Sequence, residues 1–302
     1  MSKKHISPKN IALLLLLVVA LCMPIVVDSY NLRFQCLAGI YMVFSMSLNL
    51  LMGIGGTVSF GHAAFYGIGA YTATLMCTRL GLSFPLALPV IIFISGLSGL
   101  LLALPMARVT GRYVTIVTLG FCEIVNIIMT NWSSVTRGTM GIMNIPRPTV
   151  LGFLFKSNRS YYYFIVFFVV VIYILIEWTI NSKLGRNLKA IRDDSIAAEA
   201  MGIKLFPHKV FVFSMSAALA GIAGALYAHY MGYIDPTSFT SAESFVCISI
   251  VVVGGLGNMF GSIIASLLLM AMPEYRIPRM VKIIRETTRA GTVVQRTFFA
   301  CL

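Results

Sequence analysis

GRNLKAIRDDSIAAEAMGIKLFPHKV, residues 185–210, is the most polar stretch of the chain and lies between two long apolar runs. The run before it, YYYFIVFFVVVIYILIEWTI (161–180), holds one charged residue. Twenty apolar residues make a helix of about 30 Å, the thickness of a bilayer's hydrocarbon layer. The polar stretch therefore reads as a loop at a membrane surface. Composition agrees: of 302 residues, 58% are hydrophobic and 11% charged, and the mean hydropathy is +0.89. A soluble domain carries about 25% charged residues. The expectation is an all-α polytopic integral membrane protein.

Outward from that stretch, apolar runs fall near 10–27, 33–52, 61–78, 85–105, 113–131, 161–180 and 209–230, followed by a Gly-interrupted pair at 244–254 and 258–273. That predicts about eight transmembrane helices. Helix is the expected element because an open chain in lipid must satisfy its own backbone hydrogen bonds, and the alternation of a barrel strand is absent. The first run resembles a signal peptide, but Pro24 and the following VVDSY offer no small-residue cleavage site, so it is read as a first span. Placing the N-terminus in the cytoplasm puts eleven Lys and Arg on inner segments and six on outer ones, which favours that orientation. The formal net charge of +13 is explained by such loops. No basic groove interleaved with aromatics is present, so no nucleic-acid partner is expected. The six cysteines form no CxxC pair and read as small buried hydrophobes.

Within the opening stretch, Asp193, Asp194 and Ser195 can cap a helix running through IAAEAMGI. Glu199 suits its positive end, Gly202 is a suitable stop, and Pro207 opens the next membrane helix in its first turn. The small residues Ala197, Ala198 and Ala200 leave a thin face against which another protein could sit; a solvated loop helix is the alternative. Elsewhere glycine breaks the apolar pattern twice, in LMGIGGTVSFGHAAFYGIGAY (51–71) and VVVGGLGNMFGS (251–262). Such pairs mark either broken helices beside a substrate path, here at Gly55 and Gly255, or close helix packing.

Polar residues inside apolar runs are functional candidates by default. Glu123 and Asn126 are three apart, on one helix face, and either line a path or join two helices. Ser59 and His62 follow the first glycines and serve either a cavity or packing. His62 has no partner at ligand spacing, so no metal site is expected. His229 and Glu177 read as interfacial, and Asp235 and Glu243 as outer-loop residues. Four scattered histidines without HExxH argue against a membrane-embedded enzyme. No GxxxxGK[ST] occurs, so any ATP hydrolysis must sit on another polypeptide, and no cofactor is expected.

The stretch AAEAMGI, between GRNLKAIR and HKVFVFSMSAALAGIAGALYA, resembles the coupling segment of ABC importer permeases. With SLNLLMGIGGTVSFGHAAFYGIGAY, RYVTIVTLGFCEIVNIIMTNW, TRGTMGI, YIDPTSFTSAESF and VVVGGLGNMFGSIIASLLLMAMPE, it is similar to the branched-chain amino acid permeases of the LivM/LivH type, nearer LivM, over about residues 30–275. The resemblance implies an inner-membrane permease domain over 1–273, with a cytoplasmic coupling loop at 181–208. Ala198, Glu199, Ala200 and Gly202 would be the coupling positions. Implied partners are an ABC ATPase, a second related permease, an external solute-binding protein and an amino-acid solute. Urea or amide permeases of the same kind are the near alternative, and a secondary transporter driven by an ion gradient the distant one. Residues 274–302 depart from the family. They form a basic tail without a spanning run, read either as a shifted or truncated version of an ancestral last helix or as a lipid-binding tail.

Overall fold

The structure is a computed structural model that describes residues 23–24, 29–106, 112–150, 153–155 and 157–270. Nearly all of the expected first span, 10–27, and the whole of the 274–302 tail lie outside the described residues.

Helix α1 (Ser29–Asn49) continues as a π-helical turn, Leu50–Ile54. The chain is then non-helical until α2 (His62–Arg79). Next come α3 (Phe84–Met106), α4 (Arg112–Asn131) and the short α5 (Ser133–Thr136). A 3-10 turn (Gly138–Met140) and the strands β1 (Ile142–Met143), β2 (Thr149–Val150) and β3 (Phe153–Leu154) precede α6 (Asn158–Asn181). Two surface helices follow, α7 (Lys183–Asp193) and α8 (Ser195–Ala200), and then the long α9 (Leu205–Met231). Strand β4 (Tyr233–Ile234), a second 3-10 turn (Pro236–Phe239), α10 (Ser241–Gly254) and α11 (Met259–Met270) complete the described chain. Among the described residues, five helices are long and apolar enough to cross a membrane: α1 with its π turn, α3, α4, α6 and α9.

Helices α1 and α9 form the centre, and α9 packs most extensively on α2 and α3. Small residues make that approach possible. Gly69 on α2 faces the Gly221 backbone on α9, Gly224 faces the Tyr66 carbonyl, and Gly99 on α3 faces Ala217. A side chain at Gly69 or Gly224 would collide with backbone rather than with a movable side chain. Tyr161 is fully buried on α6 and donates to the Leu226 carbonyl at 2.6 Å, holding α6 to α9.

The ends of the helices define two faces. One carries residues 55–61, α7, α8 and the 255–258 turn; the other carries the loops after α2, α4 and α9. On this second face β1 pairs with β4, Ile142 opposite Ile234, and β2 pairs with β3. These ladders sit in the loops, outside the helices long enough to cross; the spans themselves are helical, as expected. His229 lies near the end of α9 as expected and is 1% exposed, with Nδ1 2.7 Å from the Pro146 carbonyl and its ring edge-on to Phe84.

Candidate coupling surface and glycine junction

The opening stretch forms two helices rather than one. Ser182 caps α7, its hydroxyl accepting from Gly185 N at 3.3 Å. Leu188 and Ile191 are buried, which lays the helix flat on the bundle. Asp194 then caps α8, Oδ1 accepting from Ile196 N at 2.9 Å and Ala197 N at 3.0 Å. That satisfies two amides that would otherwise be orphaned at the helix start. The helix ends in a Schellman motif. Gly202, at φ +82, donates to Glu199 O at 2.9 Å, and Ile203 N donates to Ala198 O at 3.0 Å.

The four expected coupling positions do not share a face. Ala198 turns inward and is 4% exposed. Glu199, Ala200 and Gly202 are exposed, and nothing lies within 4 Å of where a Gly202 Cβ would stand. Beside them Ile196 and Met201 are 81% and 82% exposed. The free surface of α8 is thus more apolar than an alanine face. Large apolar side chains left bare beside a membrane surface suit a protein partner.

The two glycine-rich segments meet just behind α7. Gly53, in the π turn, lies against Gly257 so closely that a Cβ on Gly53 would collide with the Gly257 amide. Asn49, with no exposed surface, bridges them. Its Oδ1 accepts from Gly257 N at 2.7 Å, and its Nδ2 donates to Asn258 O at 3.1 Å and Ser262 Oγ at 2.7 Å. Gly255 and Gly257 hold φ of +90 and +81, left-handed values that favour glycine, so the α10–α11 turn depends on them. Gly55 closes the π turn, donating to Leu50 O at 3.0 Å.

Ser59 and His62 are fully buried among α1, α2 and α10. His62 Nε2 is 2.8 Å from Ser47 Oγ, and its ring stacks on Phe44 at 5.3 Å between centroids. Ser59 Oγ, His62 Nδ1 and Tyr66 OH are buried without a hydrogen-bond partner. These are unusual atoms, since buried polar groups are nearly always paired.

Glu123 and Asn126 separate. Asn126 reaches inward and donates to Pro236 O at 2.7 Å, whereas Glu123 is exposed on the outward side of α4. Asn126 therefore acts as glue within the chain and Glu123 does not. A cavity of about 580 Å³ opens on the face opposite α8, between Cys77, Phe84, Arg147 and His229. Among the described residues no group of three His, Cys, Asp or Glu is placed to hold a metal. Two residues of the junction escaped sequence reading. Asn49 carried a signal, a lone amide within an apolar run. Arg192 did not, being one of several basic residues in its loop.

Residues 31–277 match the family described as branched-chain amino acid transport system / permease component. The chain is 35% identical over 290 residues to the high-affinity branched-chain amino acid transport system permease protein LivM of Salmonella typhimurium, covering 88% of this chain and 68% of the relative. The Escherichia coli K12 protein of the same name is 35% identical over 289 residues, with the same coverage. LivH of Salmonella typhimurium is 26% identical over 263 residues, 77% of this chain and 80% of that one. No solved structure matches. With spanning helices, an exposed surface helix between α7 and α9, and a family match over most of its length, the chain belongs to the permease-component family of branched-chain amino acid transport systems.

Proposed function

We propose that the chain is a membrane-spanning permease subunit of an ATP-driven importer of branched-chain amino acids, and that the exposed face of α8 is its docking surface for a separate ATPase. The observation that carries this is α8 itself. It is a helix of six residues, capped at both ends and anchored through Ala198, and it holds Ile196, Glu199 and Met201 out at one face of the bundle. An isolated helix this short would not persist in water. Its caps and its anchor preserve a shape whose outward surface has no partner among the described residues. The solute follows from the relatives, whose names specify branched-chain amino acids.

In this reading the α8 face is cytoplasmic, the chain crosses about eight times, and its N-terminus is cytoplasmic. An external binding protein delivers solute to the opposite face, where the Arg147 and His229 cavity opens. The exposed side of α4 meets a second, related permease. Gly120 and Glu123 lie on that side with Ile116, Ile124 and Ile127, which are 65%, 58% and 58% exposed. A carboxylate on such a face is costly in lipid and tolerable beside a water-filled path between two subunits. Ser59 and His62, with unpaired polar atoms beside the glycine junction, are the buried part of that path.

The experiment is co-purification of the tagged chain with its ATPase, comparing wild type with Glu199→Arg and Gly202→Trp. Wild type should retain the ATPase and both variants should lose most of it while remaining folded. Retention by both variants would remove α8 from the docking surface.

A further inference from the structure

Arg192 closes α7, and its guanidinium is committed in two directions. Nη1 donates to the Gly53 carbonyl at 2.6 Å. Nε and Nη2 donate to Asp193 Oδ1 at 3.0 and 2.8 Å. The next residue, Asp194, is the cap of α8. One side chain therefore links the end of α7, one residue before the α8 cap, to the open end of the π turn. The Gly53 carbonyl belongs to the negative end of the α1 dipole, where a cation is favoured. Gly56, at φ +66, makes the space: a Cβ there would come within 2.6 Å of Arg192 Cγ.

On its far side Gly53 abuts Gly257, and Asn49 ties the same turn to α1. A continuous path results, from Asp193 through Arg192 and Gly53 to Gly257, with Asn49 as its buried brace. The path has deformable parts at both ends. The π turn bonds five residues back, Gly55 N to Leu50 O, and such turns recur where helices shift register at functional sites. The α10–α11 turn bends on two left-handed glycines.

We infer that Arg192 is a positioning residue for transport: it passes displacement of α7 and α8 to the α10–α11 turn through the Gly53 carbonyl and the Asn49 brace. This rests on the permease reading above. When α8 moves, Asp193 moves with it. The guanidinium follows because two of its N–H groups share one carboxylate oxygen, and the third pulls on Gly53. Lysine could not substitute, since its ammonium lacks the planar fork that serves both acceptors at once.

The test uses the complete importer in proteoliposomes, with ATP hydrolysis and solute uptake measured together for wild type, Arg192→Ala and Arg192→Lys. Both variants should assemble and hydrolyse ATP within about twofold of wild type while uptake per ATP falls about tenfold, as expected when a coupling interaction alone is lost. Unchanged uptake per ATP in Arg192→Ala overturns the proposal. So does parallel loss of assembly and hydrolysis, which would place Arg192 in the docking surface or the fold. A second measurement needs no ATPase: amide hydrogen exchange of residues 253–262 in the full chain. Arg192→Ala should speed exchange at Gly257, two residues along the path, and unchanged protection there overturns the link. If wild type never holds an ATPase but exchange responds as stated, the permease reading fails and the link stands.

Discussion

Helices α9 and α4 are both long and apolar enough to cross a bilayer, yet the protein treats them differently. Of the best spanning window, 67% is buried in α9 and 28% in α4. The contrast lies in residue size on the packed side. Helix α9 brings Gly221 and Gly224 against α2 and Ala217 against α3, so backbones meet. Helix α4 packs along one narrow side, Cys122 against Ala63 and Ala64 and Phe121 against Phe65, and polar points add to this. Thr118 Oγ1 accepts from Phe60 N at 3.1 Å, the Thr118 carbonyl fills the space beside Gly61, and Asn126 grips the Pro236 carbonyl. Apolar surface gains nothing by leaving lipid for protein, so within a membrane close packing decides which helix sits centrally. A helix packed along one side only keeps a free side, and the free side of α4 carries Glu123.

The largest effect should come from bulk at the centre. Gly224→Leu forces a side chain into the Tyr66 carbonyl and should cost at least about 3 kcal/mol, the upper range for overpacking, with little folded protein recovered by size-exclusion chromatography. Gly120→Leu on α4 meets nothing within 4 Å and should leave the stability of the isolated chain within about 0.5 kcal/mol of wild type. Its effect should appear in the assembled importer as reduced uptake. If the two variants destabilise equally, the contrast between the helices is wrong.

Hydrogen bonds sharpen the same contrast at a smaller scale. Tyr161→Phe removes a fully buried hydrogen bond to the Leu226 carbonyl, which keeps its own helical donor, and should cost about 1.5 kcal/mol, the upper range for one neutral hydrogen bond. Asn126→Ala removes a part-buried hydrogen bond from α4 to the Pro236 carbonyl and should cost about 1 kcal/mol, read as a shift in thermal midpoint. Glu123→Gln should leave the midpoint unchanged and lower uptake, because the carboxylate has no partner to lose among the described residues.

Much of this was legible before the structure, and for a physical reason. Lipid forces helix, and charge ends it, so the expected runs 85–105 and 113–131 became Phe84–Met106 and Arg112–Asn131. The caps of α8 were legible too, since Asp194 and Gly202 act through their own neighbours in the chain. What distance in sequence conceals stayed hidden. Nothing near Arg192 announces that its partner is the carbonyl of Gly53. Nothing in the spacing of Glu123 and Asn126 shows that one points out and the other in. Ala198 seemed equivalent to Ala197 and Ala200, and only the tilt of α8 on the bundle buries it.

The smallest expected effect concerns the turn on which α4 leans. Asp235 caps the 3-10 turn that presents Pro236, and it accepts from Thr237 Oγ1 at 2.7 Å and Ser238 N at 3.1 Å. Burial by itself would raise its carboxyl, but the hydrogen bonds from Ser238 and Thr237 outweigh burial and hold it below the ordinary value. A carboxyl depressed in the folded state adds stability above its unfolded value, about pH 3.9, and that contribution is lost as pH falls through the folded value. Wild type should therefore lose more thermal stability than Asp235→Asn between about pH 5 and pH 3, the amide being unable to titrate. The two tryptophans allow the loss to be located. Trp178 is 82% exposed and can be replaced by Phe, leaving Trp132, which directly follows α4, as the reporter. Its emission should shift with acid in wild type and not in Asp235→Asn. Adding Asn126→Ala should abolish the emission shift while the acid sensitivity of the midpoint remains, because the turn would still titrate but α4 would no longer be tied to it. An emission shift that survives Asn126→Ala would mean that α4 is held at that end by packing, as α9 is.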